Sequence, residues 1–189
     1  MTRRTRTALI AGVLVAALLV IGAGYPAKRV PPERWATSVC TTVNEWVGTT
    51  EAGADRVKES LSGTHPNLRD VREALASYLG DTAHATTLAL DGLADAGIPA
   101  TPKGTKAAEG LTEGFKQIRK SLRKLEAQAE DMSIRHRKKA LKQVKALNRR
   151  VNTEFNSFSE ALSKLRKLDP NHKLQQAFQS EPACRALSS

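Results

Sequence analysis

Apolar and small residues recur at alternating intervals of three and four along four long stretches of this chain. The first stretch runs from about Pro32 to Leu61, and the second runs from about Pro66 to Ala96. The third runs from about Lys103 to Asp131, and the fourth resumes near Ile134 and stops at Asp169-Pro170. Because this spacing places the apolar residues on one face of an α-helix, the pattern predicts four amphipathic helices.

The boundary between the third and fourth helices depends on phase, since no glycine or proline lies between Gly114 and Pro170. When the third apolar seam is continued past Met132, it reaches only polar residues, and the fourth seam fits only after a shift in phase. We therefore predict a turn at about Asp131–His136, with Ser133 as the N-cap of the fourth helix. A single bent helix is the alternative.

Four helices of about 30 residues joined by short connections predict an all-α fold, namely an up-down-up-down four-helix bundle. We expect a short C-terminal helix to follow, with Asp169 as its cap and Pro170 at its first position. The composition agrees with this fold: 40% of the residues are hydrophobic but only 4% are aromatic. The core therefore consists mainly of Ala, Leu and Val, which suits closely packed helices better than sheets.

The first 24 residues have the pattern of a membrane-targeting segment. Arg3, Arg4 and Arg6 precede residues 8–24, which are apolar and uncharged. A helix over these 17 residues would be about 26 Å long, slightly short of a bilayer core of about 30 Å. Residues 1–24 are therefore predicted to be either a cleaved signal peptide or a retained transmembrane helix.

Either outcome places the remainder of the chain outside the cytoplasm, because the arginines are expected to stay on the cytoplasmic side. The protein is then a single-pass cell-membrane protein, or a secreted one if the segment is cleaved. Residues 25–34 contain three prolines and predict a stiff linker. Residues 35–189 are predicted to form the extracytoplasmic helical bundle.

Cys40 and Cys184 are the two cysteines of the chain. Cys40 lies near the start of the first helix, and Cys184 lies after the end of the fourth. These points share one end of an antiparallel bundle, and an exported location permits oxidation, so we predict an intramolecular disulfide. Two free thiols or an intermolecular bond are the alternatives.

The net charge of +11 is unevenly distributed along the chain. Residues 25–100 have 7 basic and 10 acidic side chains, whereas residues 101–168 have 18 basic and 7 acidic ones. Within the second part, residues 116–150 have 13 basic and 3 acidic side chains. The predicted turn between the third and fourth helices brings this charge to the end of the bundle opposite Cys40, so it points away from the membrane.

We predict that this charge forms an anion-binding surface for an anionic envelope polymer or an acidic protein. Nucleic acid is disfavoured by the outside location and by the lack of aromatic residues between Phe115 and Phe155. A solvated surface kept for solubility is the alternative interpretation. The residues of the predicted surface are Lys116, Arg119, Lys120, Arg123, Lys138, Lys142, Lys145 and Arg149.

No catalytic, metal-binding or cofactor motif is recognisable, so we expect a non-enzymatic protein. Di-iron bundles need paired Glu-x-x-His motifs, whereas the nearest spacing here is a single Asp81-x-x-His84. Threonines are frequent in the first two helices and could line a pocket, which makes an extracellular small-ligand-binding domain the alternative function. These threonines are Thr41, Thr42, Thr49, Thr50, Thr82, Thr86 and Thr87.

The order of aromatic residues and cysteines resembles that of small secreted or single-pass membrane-anchored helical-bundle proteins of high-GC Gram-positive bacteria. The features that carry this resemblance are Trp35, Cys40 and Trp46 early in the chain and Pro182-Ala183-Cys184 at its end. The resemblance is architectural and covers most of the chain. It implies an exported helical bundle and no particular activity.

Overall fold

The computed structural model describes residues 28–166 and 171–185, and the fold is all-α. Four long helices follow one another with short connections, as predicted. Two short helices and a pair of two-residue strands complete the described part of the chain. The long helices are α1 (Pro32–Ser60), α2 (Leu68–Ala96), α3 (Gly104–Glu130) and α4 (Arg137–Arg166). The short ones are α5 (Lys173–Ser180) and α6 (Pro182–Arg185), and the strands are β1 (Arg29–Val30) and β2 (Ile98–Pro99).

The turn between α3 and α4 is confirmed, because α3 ends at Glu130 and α4 begins at Arg137. Ser133 was the wrong N-cap, since it lies four residues before the first residue of α4. The start of α4 is instead tied to the start of α2, where Arg137 Nη1 donates a hydrogen bond to the Pro66 carbonyl at 3.2 Å. This contact closes the end of the bundle that lies far from Cys40.

Helices α1 and α2 run antiparallel, as two contacts at different levels show. Near the beginning of α1, Trp35 Nε1 donates to the carbonyl oxygen of Gly97, just past the end of α2, at 3.1 Å. Near the end of α1, Arg56 Nη2 lies 2.8 Å from the carboxylate of Asp81. Later residues of α1 therefore meet earlier residues of α2.

Helices α3 and α4 are antiparallel as well. Phe115 and Phe158 pack edge to face with ring centroids 4.8 Å apart, while Ser121 donates to Glu154 at 2.9 Å. The α1–α2 and α3–α4 pairs are thus each antiparallel, as an up-down-up-down bundle requires.

All four long helices meet at the indole ring of Trp46. The ring centroid of this α1 residue lies 5.3 Å from that of Phe115 in α3. It lies 5.5 Å and 5.9 Å from the ring centroids of Phe155 and Phe158 in α4. Its Nε1–H donates to Thr86 Oγ1 of α2 at 2.9 Å. A buried tryptophan needs a partner for this N–H, and the threonine supplies it without interrupting the apolar core.

The buried face of α4 differs in part from the predicted seam. Ala140, Val144, Leu147 and Val151 are buried, whereas Asn148, which the three-and-four rhythm placed on the seam, is exposed. The physical reason is that a buried amide needs hydrogen-bond partners, while Leu147 contributes apolar area without that cost. The helix is therefore rotated so that Leu147 faces the core.

The N-terminal approach to the bundle is fixed by a parallel strand pairing for which the sequence has no periodic signal. The amides of Ile98 and Ala100 donate to the carbonyls of Lys28 and Val30 at 2.9 and 2.8 Å, and the Val30 side chain is buried. Gly97 makes the pairing possible: its φ is +73°, and a Cβ there would lie 2.5 Å from the Lys28 carbonyl oxygen.

The C-terminal segment closes over the first half of α1, and the predicted disulfide between Cys40 and Cys184 is present, with the two Cα atoms 5.0 Å apart. Asn44 Nδ2 also donates to the Ala183 carbonyl at 2.7 Å, and the rings of Trp35 and Phe178 pack edge to face at 5.8 Å. The segment formed by α5 and α6 is hereafter called the C-terminal clasp.

The predicted start of the short C-terminal helix was wrong. That helix begins at Lys173, and His172 precedes it in a left-handed conformation with φ 55°, so Asp169 and Pro170 are not its cap and first position. They lie in residues 167–170, outside the described part of the chain. The predicted signal or transmembrane segment also lies outside it, and none of the described helices is long and apolar enough to cross a membrane.

Replacing Cys184 with Ser is expected to lower the free energy of unfolding by about 2–5 kcal/mol, because the disulfide closes a long loop and its loss frees the unfolded chain. Urea unfolding of the wild type and of C184S under non-reducing conditions measures the difference. The double variant C40S/C184S should match C184S. Two free thiols in the denatured, unreduced wild-type chain would contradict the disulfide.

Replacing Thr86 with Val is expected to cost about 1–3 kcal/mol of unfolding free energy, because it leaves the buried Trp46 N–H without an acceptor. Thr87→Val is the matched control. The Thr87 side chain is partly exposed, and its hydroxyl bonds only to the carbonyl of Ala83 in its own helix, at 3.2 Å. Its cost should stay within about 0.5 kcal/mol. Equal effects of the two substitutions in urea unfolding would argue against the Trp46–Thr86 bond.

Candidate anion-binding surface

The eight basic residues predicted to bind anions are mostly exposed and unpaired. Seven are exposed and Arg119 is half-buried. Within the described residues, Arg123 is the one member with an ion pair, at 3.1 Å from Glu126 on the next helical turn. Because the fold does not neutralise these charges, they remain available to an anionic partner.

Four of the eight residues line a groove between α2 and α3, called here the α2–α3 groove. Its volume is about 490 Å³. Small residues on the adjoining side of α2 leave room for the long side chains of α3; Gly80, for example, lies against Glu126 of α3. The residues that line the groove are Thr87, Lys116, Gln117, Arg119, Lys120 and Arg123.

The other four residues lie on a different side of the bundle. Arg150 Nη1 donates to Gln128 Oε1, and this bond marks the side of α4 that faces α3. Lys145 precedes Arg150 by five residues, which is a rotation of about 140° around the helix. Lys138, Lys142 and Arg149 share the side of Lys145, because they are spaced from it by three or four residues. This row is called the α4 stripe.

The eight residues therefore form two groups rather than one flat surface. The α4 stripe lies toward the end of the bundle that is far from Cys40, whereas the groove residues lie near the middle of α3. The α2–α3 groove opens on the α2 side of α3, whereas the α4 stripe lies about 80–140° around α4 from Arg150, which bonds to Gln128 of α3.

Three further basic residues connect the two groups, and the set chosen from the sequence omitted them. Lys124 is four residues from Gln128, and Lys139 is eleven residues from Arg150, so both lie near the outer edge of the α3–α4 contact. Lys124, Lys139 and Arg150 are exposed. They belong to the same charge-rich part of the sequence. Lys139 and Arg150 lie off the single stripe that was selected on α4, and Lys124 was not among the α3 residues selected.

Acidic residues limit the α2–α3 groove but not the α4 stripe. Along α3, Glu109 and Glu113 precede the groove residues, and Glu126 and Glu130 follow them. Along α4, no acidic residue occurs between Asp131 and Glu154. The groove is thus a bounded cluster of positive charge, and the α4 stripe is a longer continuous one.

The threonines of the first two helices have a structural role where they are buried. The side chains of Thr82 and Thr86 are fully buried, and each hydroxyl donates to the carbonyl four residues earlier, at 2.7 Å. The neighbouring Tyr78 is also buried, and desolvation raises the pKa of its hydroxyl above the ordinary value. The buried hydroxyls are therefore bonded within the core, which is how such groups are normally satisfied in a helix.

Asp81 and His84 do not form a metal site with other side chains. Both are exposed, and Asp81 accepts hydrogen bonds from Arg56 at 2.8 Å and from Ser77 at 3.1 Å. Across residues 28–166 and 171–185, no group of three or more His, Cys, Asp or Glu side chains is arranged to hold a metal ion.

Comparison with known proteins adds no relative: the chain matches no protein-family model, no curated protein and no solved structure.

Proposed function

We propose that this chain is an exported, non-enzymatic helical bundle that binds an anionic partner of the cell envelope through its distal basic surface. The partner is an anionic envelope polymer or an acidic protein. The observation that carries the proposal is the set of exposed basic side chains, of which Arg123 alone has an ion pair in the described part of the chain.

The polarity of the bundle supports this function. The N-terminal strand and the C-terminal clasp occupy one end, where Arg29 pairs with Ile98 and Cys40 joins Cys184. A chain tethered or exported through residues 1–24 would enter the bundle at that end. The basic groups then face away from the membrane, toward the polymers and proteins of the envelope.

The chemistry of the two groups supports an electrostatic and salt-sensitive mode of binding. Exposed lysines and arginines attract polyanions over about one Debye length, roughly 8 Å at physiological ionic strength. The arginines add planar donors that bond phosphate or carboxylate with two N–H groups at once. Neither group needs a cofactor or a covalent step, in keeping with a non-enzymatic role.

This function predicts that an anionic wall polymer binds the full-length protein in non-ionic detergent, and that added salt removes the binding. Replacement of all eight predicted residues with Gln should abolish retention of the protein on immobilised polymer, because the attraction depends on charge. The matched control exchanges Lys for Arg and Arg for Lys at the same eight positions, and it should still bind.

Retention that salt does not weaken, or equal retention of the Gln variant and the wild type, would contradict the proposal. Binding to an acidic protein instead of the polymer, with the same salt and variant dependence, would identify the other class of partner. Far-UV circular dichroism of each variant verifies that the helices are intact.

A further inference from the structure

We infer that the partner is a flexible linear polyanion that winds obliquely around the α3–α4 half of the bundle and contacts the α2–α3 groove and the α4 stripe together. This inference rests on the proposed function and specifies the shape of the partner. It comes from the placement of the basic residues, which follow a path around the molecule rather than a plane.

The first observation is that the α2–α3 groove and the α4 stripe lie on different sides of the α3–α4 pair. The groove residues share their cavity with Thr87 of α2, so they lie on the α2 side of α3. The four residues of the α4 stripe lie about 80–140° around their helix from Arg150, the residue that contacts α3 through Gln128. A partner must therefore pass around the outside of the α3–α4 pair to reach both groups.

The second observation is that the path between the groups is basic as well. Lys124, Lys139 and Arg150 are exposed near the outer edge of the α3–α4 contact. Together with the groove and the α4 stripe they form what we call the basic belt. An anionic chain that leaves the groove past Lys124 would meet further basic residues before it reaches the stripe, whereas a chain that followed α3 would meet Glu126 and Glu130.

The third observation is the difference in level between the groups. The contacts of Ser121 with Glu154 and of Gln128 with Arg150 fix how α3 and α4 lie beside one another. These contacts place the centre of the α4 stripe near the level of the α3–α4 turn. Along the bundle axis it lies closer to that turn than the groove residues do. At 1.5 Å per residue, the offset along the bundle axis is about 20 Å, so the belt is oblique.

These three features distinguish between kinds of anionic partner. A flat membrane surface, or one face of a globular acidic protein, can approach only one side of a helical bundle at a time. A stiff double-stranded DNA has a persistence length of about 50 nm and also approaches as a rod. A flexible chain can follow a curved and inclined path, and it gains contacts with every basic residue along it.

The experiment compares three variants of the full-length protein in non-ionic detergent, each of which removes four positive charges. The groove variant is K116Q/R119Q/K120Q/R123Q, and the stripe variant is K138Q/K142Q/K145Q/R149Q. The control variant removes four exposed charges outside the belt and is K58Q/R69Q/K103Q/K106Q. The Kd for long-chain polyphosphate is measured over a range of NaCl concentrations, with tripolyphosphate and a DNA duplex as further probes.

For long-chain polyphosphate, the groove and stripe variants should each reduce the slope of log Kd against log salt, by about 3 for four lost contacts at roughly 0.7–0.9 per contact. The control variant should leave the slope nearly unchanged. For tripolyphosphate and for the duplex, at most one of the two variants should reduce the slope, since neither probe can reach both groups.

A reduction by only one of the two variants with long-chain polyphosphate would overturn the winding path and leave the proposed function intact. Equal reductions by both variants with the duplex would also overturn it, because a stiff partner would then reach both sides. Absence of any salt-dependent binding of polyphosphate and wall polymer to the wild type would overturn the inference and the proposed function together.

Discussion

The contact of Trp46 with all three other long helices is the interaction on which the rest of the structure depends. Its ring packs on Phe115, Phe155 and Phe158, and its N–H is bonded to Thr86. With only 4% aromatic residues in the chain, much of the aromatic surface is concentrated at this point. Elsewhere the helices pack through Ala, Leu and Val, so Trp46 fixes which faces of the four helices meet.

Because apolar contacts hold the core together, the charged surface residues contribute little to the stability of the fold. In the two ion pairs of the described residues, Arg56, Asp81 and Arg123 are exposed and Glu126 is partly buried, and pairs that water can reach contribute little stability. The end of the bundle near Cys40 is further tied by the strand pair and the C-terminal clasp. The remainder of the bundle can therefore concentrate positive charge, with the α4 stripe at the opposite end, and this division between a tied end and a charged remainder is the basis of the proposed function.

The sequence predicted the parts of the fold that depend on periodicity and topology. Three-and-four spacing located the four helices, and the shift in phase after Met132 located the turn before α4. The antiparallel topology predicted the Cys40–Cys184 bond. The start of α5 was missed because Asp169-Pro170 is a typical cap sequence, whereas the helix begins at Lys173.

The remaining differences arise where tertiary packing decides between local alternatives. The pairing of β1 with β2 depends on Gly97 bringing the chain past Lys28, and two-residue strands leave no periodic signal. Asn148 fits the rhythm of α4 as well as Leu147 does, and only the cost of burying its amide selects the leucine. Helix directions located the α4 stripe at the end of the bundle far from Cys40. Dividing the basic residues into two groups required the cavity that Thr87 shares with α3 and the bond of Arg150 to Gln128.

The central claim is that apolar packing stabilises the fold, whereas the residues of the basic belt do not stabilise it through ion pairs. The free energy of unfolding in urea, measured between roughly 0.01 and 1 M NaCl, tests it most directly, because salt screens interactions between exposed charges over this range. We expect the value to stay constant or to rise as repulsion within the belt is screened. A fall of more than about 1 kcal/mol, the upper value for an exposed ion pair, would contradict the claim, because it would mean that the basic residues stabilise the fold through ion pairs.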